Sequence, residues 1–573
     1  MKLAVGLLAG FALAGSGTAA EPLRVSAYAT AGGIVRYLGP PEKRVAVTET
    51  LRRLGVNGIF LEGRRGDEYV PPKLLAELRD HFRAAGFRVA GGIATVPGES
   101  FGVRQNEPLG WLNWQNEKTQ RDIAHFFREN AAVFDRIIVD DFYCTGDTSP
   151  ESDRARRGRP WSEYRQDLLA GLLEPMIFAP ARAVRPDIEL IIKYPQWYDR
   201  FHVFGYAPDR MSQPFPRVWV GTEVRNPETQ RMGFVQPTQG YMNFRWITSV
   251  AGEKVEGAWF DHIECTAQNF VDQAYMSILA GARELTLFHL GDLVEGHPGH
   301  GPWVAALPEL AELAGQVRGQ TREGWVFYKP VGSDAEENLF VADYLGMLGV
   351  PLDPRAQWPA GARAVVLAVQ AAADPALMEK ARKMVEAGGA VLFTPQALRK
   401  LGAAAQRWAG VTVGPSPQAG AAAAAGSKGR MTTLAVPLEV DAAVDAPPGA
   451  ARFVAQVSGK NMPLLTVRRA GRGQVLVLNI RTFSEADYRA TGEFLLPPKA
   501  LGWPALPREV ADALRGAILE PTGVRFSAPA RVALFRFARG AYAYNFLPVP
   551  APVEWMGKPI TLPANRGQWL EGR

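Results

Sequence analysis

"RIIVDDFYCT", residues 136–145, carries a run of branched aliphatic residues straight into two adjacent acids and then two aromatics. A short continuous apolar run is the pattern of a strand buried on both faces. An ionised carboxylate is costly to remove from water unless a partner meets it. Asp140 and Asp141 therefore belong at the open end of a buried strand, where water or substrate reaches them. The same pattern recurs along the first half of the chain, in "LRVSAY" (23–28), "GIFLEG" (58–63), "RVAGGI" (88–93), "ELIIKY" (189–194), "RVWVGTE" (217–223), "GAWFDH" (257–262) and "LTLFHL" (285–290). Between these runs lie amphipathic stretches at helical spacing, among them "EKRVAVTETLRRLGV", "PKLLAELRDHFRAAG", "EKTQRDIAHFFRENAAVF" and "AQNFVDQAYMSILAGA". Eight strand signals with room for a helix after each, in roughly 300 residues, have the count and size of a (β/α)8 barrel. An open doubly wound sheet also alternates in this way, but no Gly-rich phosphate turn follows the first strand here.

From near Trp325 strand and helix patterns alternate again, in "GWVFYKP", "ENLFVADYLGMLGV", "ARAVVLAVQ" and "ALMEKARKMVEAGGAVLFTP". A stretch rich in Ala, Gly and Pro over 414–430 reads as a loop interrupting this unit, and "GQVLVLNI" (473–480) reads as a strand returning to it. The tail "RVALFRFARGAYAYNFLPV" (531–549) has strand-turn-strand alternation around Arg539 and Gly540. The predicted division is a leader over 1–20, the barrel over 21–320, a smaller α/β domain over 321–520 and a small antiparallel β domain over 521–573.

The leader "MKLAVGLLAGFALAGSGTAA" has one lysine, an apolar stretch and a small-residue end before Glu21, the layout of a cleaved secretory signal. A periplasmic or secreted protein is expected. No other apolar run reaches the length of a membrane span, so no membrane insertion is expected. The net charge is +6, with Lys and Arg scattered through amphipathic segments rather than clustered, and no nucleic-acid module is present. The two cysteines, Cys144 and Cys265, are expected to be free thiols.

In a barrel of this kind the active site lies at the carboxyl ends of the strands. Those ends carry Tyr28, Glu62 with Arg64, Asp140 with Asp141, Lys193 with Tyr194, Glu223 with Arg225, Asp261 with Glu264, and His289 with Asp292. Several carboxylates beside two cations suit glycoside hydrolysis, in which one carboxyl protonates the leaving sugar and a second attacks the anomeric carbon or activates water. Asp141, with Asp140 beside it, and Glu223 are the expected catalytic acids. Tyr28, Glu62, Lys193, Tyr194, Arg225, Asp261 and His289 are candidates for holding substrate, although a structural ion pair of Glu223 with Arg225 is an equal reading of that pair. The loop aromatics Trp111, Trp114, Trp197 and Tyr198 are candidate faces for pyranose rings, whereas Trp219, Trp246 and Trp259 read as packing. No metal or cofactor is expected: Pro and Gly around His297 and His300 make "EGHPGHG" a solvent loop, and no Gly-x-Ser-x-Gly elbow accompanies a His and an acid in hydrolase order. The rival reading is a non-catalytic carbohydrate-binding or assembly protein that retains the rim.

The order of barrel, α/β domain and β domain resembles the β-galactosidases that carry a trimerisation domain similar to glutamine amidotransferases, with "ENLFVADYLGMLGVPLD" through "EKARKMVEAGGAVLFTP" as the matching stretch. The segments "IIVDDFYCT", "IIKYPQWYD" and "VGTEVRNP" are similar to a little-characterised bacterial group of barrel proteins related to glycoside hydrolases. The Asn-Glu pair that ends strand four in the β-galactosidases is replaced here by Asp140 and Asp141. An acid on strand four with one on strand six instead resembles α-galactosidase-like barrels, which implies Asp141 or Asp140 as nucleophile and Glu223 as acid/base, with Asp261 as the competing partner. The resemblance also implies that residues 321–520, which contain no cysteine, serve as an interface or lid, with homo-oligomerisation through them.

Overall fold

The computed structural model describes residues 23–106, 109–229, 236–415, 419–427, 430–491 and 501–571; the predicted leader lies outside the described residues. Eight parallel strands form the first domain: β1 (Arg24–Ala29), β2 (Gly58–Arg65), β3 (Arg88–Ala94), β4 (Arg136–Val139), β5 (Glu189–Tyr194), β6 (Arg217–Gly221), β7 (Val255–Asp261) and β8 (Glu284–Phe288). Neighbours pair in sequence order, and β1 closes the ring by pairing with both β2 and β8, Ser26 opposite Gly58 and Tyr28 opposite Phe288. The predicted (β/α)8 barrel is the observed one.

Side chains alternate across each strand with period two. The inward set fills the barrel with Tyr28, Phe60, Ala90, Ile138, Ile191, Trp219 and Trp259, and Phe288 packs against them. Gly257 is required by this packing, because a Cβ there would come within 2.0 Å of the Trp219 ring. Below this layer, at the amino ends, Glu284 meets Arg88 and Arg24, Glu256 meets Arg24 and Arg217, and Glu189 meets Arg136. The outward set packs under helices whose starts are encoded locally. Pro41 and Pro72 open two of them, Asn116 caps the next through the Lys118 amide, and Thr266 with Asn269 forms a capping box. The β5–β6 connection differs: it holds only the 3-10 turn Phe201–Phe204 and the single helical turn Pro208–Met211.

The second domain is built on a nine-stranded sheet. Leu352–Arg355, Trp325–Tyr328, Ala364–Leu367, Ala390–Phe393 and Gly473–Leu478 run parallel, and the sheet continues antiparallel through Lys460–Ala470, Ala451–Val457, Ala419–Ser427 and Arg430–Asp441. The loop expected over 414–430 is therefore corrected to a strand at Ala419–Ser427. Alanine is a weak strand former, and this segment is held by backbone pairing to a neighbour on each side. The expected hairpin at the C-terminus is present as Val532–Phe537 and Gly540–Asn545. Its sheet also takes in Arg322–Glu323, so the chain leaving the barrel is stitched to the end of the molecule.

Candidate active site

Extending the period-two alternation upward from the packed layer predicts which rim residues turn inward. Tyr28 leads to no further strand residue, Phe60 leads to Glu62, Ile138 to Asp140, Ile191 to Lys193, Trp219 through Gly221 to Glu223, and Trp259 to Asp261. These side chains meet in one network. Lys193 Nζ donates to Asp141 Oδ2 at 2.5 Å and to Glu223 Oε1 at 2.6 Å, and lies 3.8 Å from Asp140 Oδ1. The two oxygens bridged by the lysine are thus no farther apart than the sum of those two distances. Beneath the ammonium lies the Trp259 ring, 4.7 Å away, a cation–π contact.

Arg65 joins the opposite side, donating to both oxygens of Glu62 at 3.1 and 2.9 Å and to Asp140 Oδ2 at 3.1 Å. Glu62 also accepts from Tyr28 Oη and from the Ala31 amide, each at 2.7 Å. On the third side Gln196, with its amide oriented to satisfy both neighbours, donates to Glu223 Oε2 at 3.1 Å and accepts from Arg225 Nη1 at 2.9 Å, while Arg225 pairs with Asp261 at 2.5 Å. Gly221 is what lets Glu223 fold back over its strand, since a Cβ there would lie 2.3 Å from Glu223 Oε2.

Burial separates the acids electrically. It pushes the Asp141 carboxyl up, and the adjacent Asp140 and Glu223 charges add to the effect against the opposing Lys193. For Asp140 burial acts in the same sense but is outweighed by Lys193, Arg65 and the Asp141 amide, so its carboxyl sits low. Burial also raises Glu62 against Arg65, and raises Asp261 to about 6 with Glu223 adding and Arg225 opposing. Burial alone would lower the Lys193 ammonium, but Asp141, Glu223 and Asp140 more than reverse it. The Asp141 side chain is 12% exposed, against 3% for Asp140 and 5% for Glu223, so solvent enters at Asp141.

Two members of the network escape sequence reasoning. Arg64 was the expected strand-two cation, but a bulge between Glu62 and Arg64 shifts the alternation. Arg64 consequently lies over Tyr69 and Phe101, while Arg65 turns in. Gln196 lies in a loop, where no periodicity reports direction.

Other expectations need correcting. Tyr194 has outward parity, is fully buried and bonds Ser212 Oγ at 3.0 Å, so it faces the helical layer rather than substrate. Trp114 is fully buried, donates to the Cys144 carbonyl at 2.8 Å and meets Tyr143 edge-on. Trp111 and Trp197 stack on each other at 6.0 Å, and both meet Phe204 edge-on. Tyr198 is also buried, its hydroxyl on Asp343. These aromatics form a small core beneath the long loops, which need one to be ordered; they do not offer open faces to a sugar. Trp219 and Trp259 pack as expected, inside the barrel. Tyr28 sits below the rim as a support for Glu62, and His289 bonds the Gly291 amide at 3.0 Å rather than the acid network.

The "EGHPGHG" segment is not a free loop either. His300 Nε2 lies 3.1 Å from Nε2 of His262, and the His297 ring lies 4.8 Å from that of His262. Burial, then the neighbouring histidines, hold His262 down at about 3, so it is neutral. Among the described residues no group of three or more His, Cys, Asp or Glu is arranged to hold a metal ion. Both cysteines are free thiols.

A closed eight-stranded barrel with a ring of ionisable groups at its carboxyl ends is the architecture of the TIM-barrel glycosidases. The chain belongs to the family described as "probable glycosyl hydrolase, catalytic domain", whose model matches residues 15–320, and residues 324–413 match the second-domain model of uncharacterized protein SSO3021. That protein, from Saccharolobus solfataricus, is 24% identical over 354 residues, covering 55% of this chain and 57% of its own length. A GH42 β-galactosidase from G. stearothermophilus shares the fold with TM-score 0.63 at 10% identity, over 96% of this chain and 98% of that one. α-L-Fucosidase isoenzyme 2 from Paenibacillus thiaminolyticus aligns with TM-score 0.57 at 11% identity, over 92% and 95%. Enzymes whose names give different sugars share this fold, so the likeness says nothing of substrate.

Proposed function

We propose that the protein is an exported, retaining glycoside hydrolase acting on an oligosaccharide or polysaccharide, with Asp141 and Glu223 as its two working carboxyls. The observation that carries this reading is the single ammonium of Lys193 held between them. Retaining enzymes place their carboxyls about 5 to 5.5 Å apart, and inverting ones about 6.5 to 9.5 Å. Two oxygens on one nitrogen, at 2.5 and 2.6 Å, keep the nearest carboxyl oxygens close together, which favours the shorter class.

The hydrogen bonding favours roles opposite to those implied by the α-galactosidase-like resemblance. Glu223 accepts on both oxygens, from Lys193 and Gln196, as an attacking carboxylate should. Asp141 is the acid whose proton is favoured by burial and by two neighbouring negative charges. Glu223 then bonds the anomeric carbon as the glycosidic C–O bond breaks, and the leaving oxygen takes the Asp141 proton. In the second half Asp141 takes a proton from water, whose oxygen displaces Glu223 from the sugar. Asp140, tied to Arg65 and the Asp141 amide, orients this pair.

A panel of nitrophenyl glycosides with Asp141→Gly, Glu223→Gly and the parent chain tests the assignment. Azide should restore turnover to both variants, giving a glycosyl azide of retained configuration with Asp141→Gly and of inverted configuration with Glu223→Gly. The opposite stereochemistry would exchange the roles, and binding without release by the parent would move the protein to the carbohydrate-binding class. Export predicts a secreted or periplasmic chain beginning at Glu21, read by mass spectrometry. Self-association through 321–520 predicts an oligomer by light scattering.

A further inference from the structure

At the amino end of the barrel, remote from the acids, a cavity of about 450 Å³ opens where the barrel meets the later domains. Its wall carries Arg245, Arg283, Arg318, Arg322 and Arg355, with Glu253 as its one acid. Arg245 and Arg355 share the single carboxylate of Asp353 just behind the wall, at 3.0 and 2.9 Å. Arg283 takes Glu253 at 2.6 Å, an acid whose side chain is 95% exposed, and lies 3.6 Å from the buried Glu256. Among the described residues no carboxylate lies within ion-pair distance of Arg318 or Arg322, and Arg318 makes no side-chain hydrogen bond. Arg322 spends two of its nitrogens on the carbonyls of Gln320 and Leu279, and its buried Nε has no partner. Burial, and then the like charge of Arg245, pull this guanidinium down to about 10.

Five guanidinium groups crowd this space, two of them without a carboxylate among the described residues, and such crowding costs stability unless an oxyanion meets it. We propose that the cavity is a binding site for a saccharide bearing carboxylate or sulfate groups, separate from the catalytic acids. Every cation on its wall is arginine, the side chain whose planar fork matches such oxyanions in pairs of hydrogen bonds. The volume exceeds what a lone oxyanion fills and falls in the range of small-ligand sites, roughly 300 to 1,000 Å³. On an enzyme that acts on glycans, such a site would hold a second stretch of an acidic chain.

The test is calorimetric titration of the full chain with tri-galacturonate, sodium sulfate and neutral maltotriose at equal ionic strength. Saturable binding of tri-galacturonate is expected, tighter than sulfate, with maltotriose inert. Arg318→Glu should weaken it by about tenfold or more, as loss of a charge-assisted pair does, with Arg318→Lys intermediate and thermal stability unchanged in both. Sulfate binding as tightly as the trimer would overturn the saccharide assignment. Absence of saturation, equal binding of maltotriose, or affinity indifferent to Arg318→Glu would overturn the site.

Discussion

Lys193 is the residue on which the acid network turns. Three carboxylates face one buried ammonium, and removing one partner of such a cluster leaves the others uncompensated. Lys193→Met should therefore destabilise the fold by about 3 kcal/mol at pH 7.5. The sign with pH follows from both sides. The raised ammonium is charged in the folded state throughout the neutral range, so its contribution is fully present there. The carboxyls it leaves behind bind protons more readily in the folded chain, so the loss shrinks as pH falls and they become neutral. Urea unfolding at pH 7.5 and pH 5 measures the difference; a loss that does not shrink in acid would refute the charge account. At this scale the sequence was informative about identity and silent about direction. Asp140, Lys193, Glu223 and Asp261 were legible because each ends a strand on its inward parity, whereas Tyr194, one residue beyond Lys193, must face the helices.

Among the elements, the segment after β5 does the most. Freed from forming a long helix, it gives Gln196 to the acid network and then plugs into the second domain. Tyr198 donates to Asp343 at 2.9 Å, Asp199 accepts from the Phe340 amide at 2.7 Å and from Gln370, and Arg200 pairs with Glu485 at 2.8 Å. Asp199→Ala should release this anchor and with it the aim of Gln196. Turnover should fall about tenfold with KM little changed and with the pH–rate profile displaced, because Gln196 is the second donor on Glu223. A fall in thermal stability with an unchanged profile would mean the anchor serves folding alone. Elements were legible in proportion to their regularity. The eight barrel strands are short, largely apolar runs buried on both faces, so they announce themselves. The bulge that turns Arg65 inward, the alanine strand at Ala419–Ser427 and the packing of Trp111 on Trp197 depend on partners distant in sequence, which local pattern does not report.

Across the whole molecule, the C-terminal sheet returns to cover the barrel. Tyr544 donates to Asp272 at 2.6 Å, and Arg566 pairs with Glu309 at 2.5 Å. Burial raises Asp272 to about 6, above the value near 3.9 of an unfolded chain. A carboxyl raised on folding opposes the fold once it ionises, by about 2 to 3 kcal/mol at most here, and the penalty disappears as pH falls below both values. Asp272→Asn should therefore stabilise the protein at pH 8 by about 1 to 2 kcal/mol and give little gain at pH 4, checked by melting temperature across that range. The closure of the barrel bears on a different property, the order in which the chain can assemble. One edge of β1 pairs with β2, only some thirty residues on, but the other waits for β8 at Glu284–Phe288. Until that last strand is synthesised the growing sheet has two raw edges, each able to add a foreign strand. The seam is thus a long-range, late event in folding, and it spells a nascent chain that stays open, and exposed to self-pairing, until nearly three hundred residues have emerged.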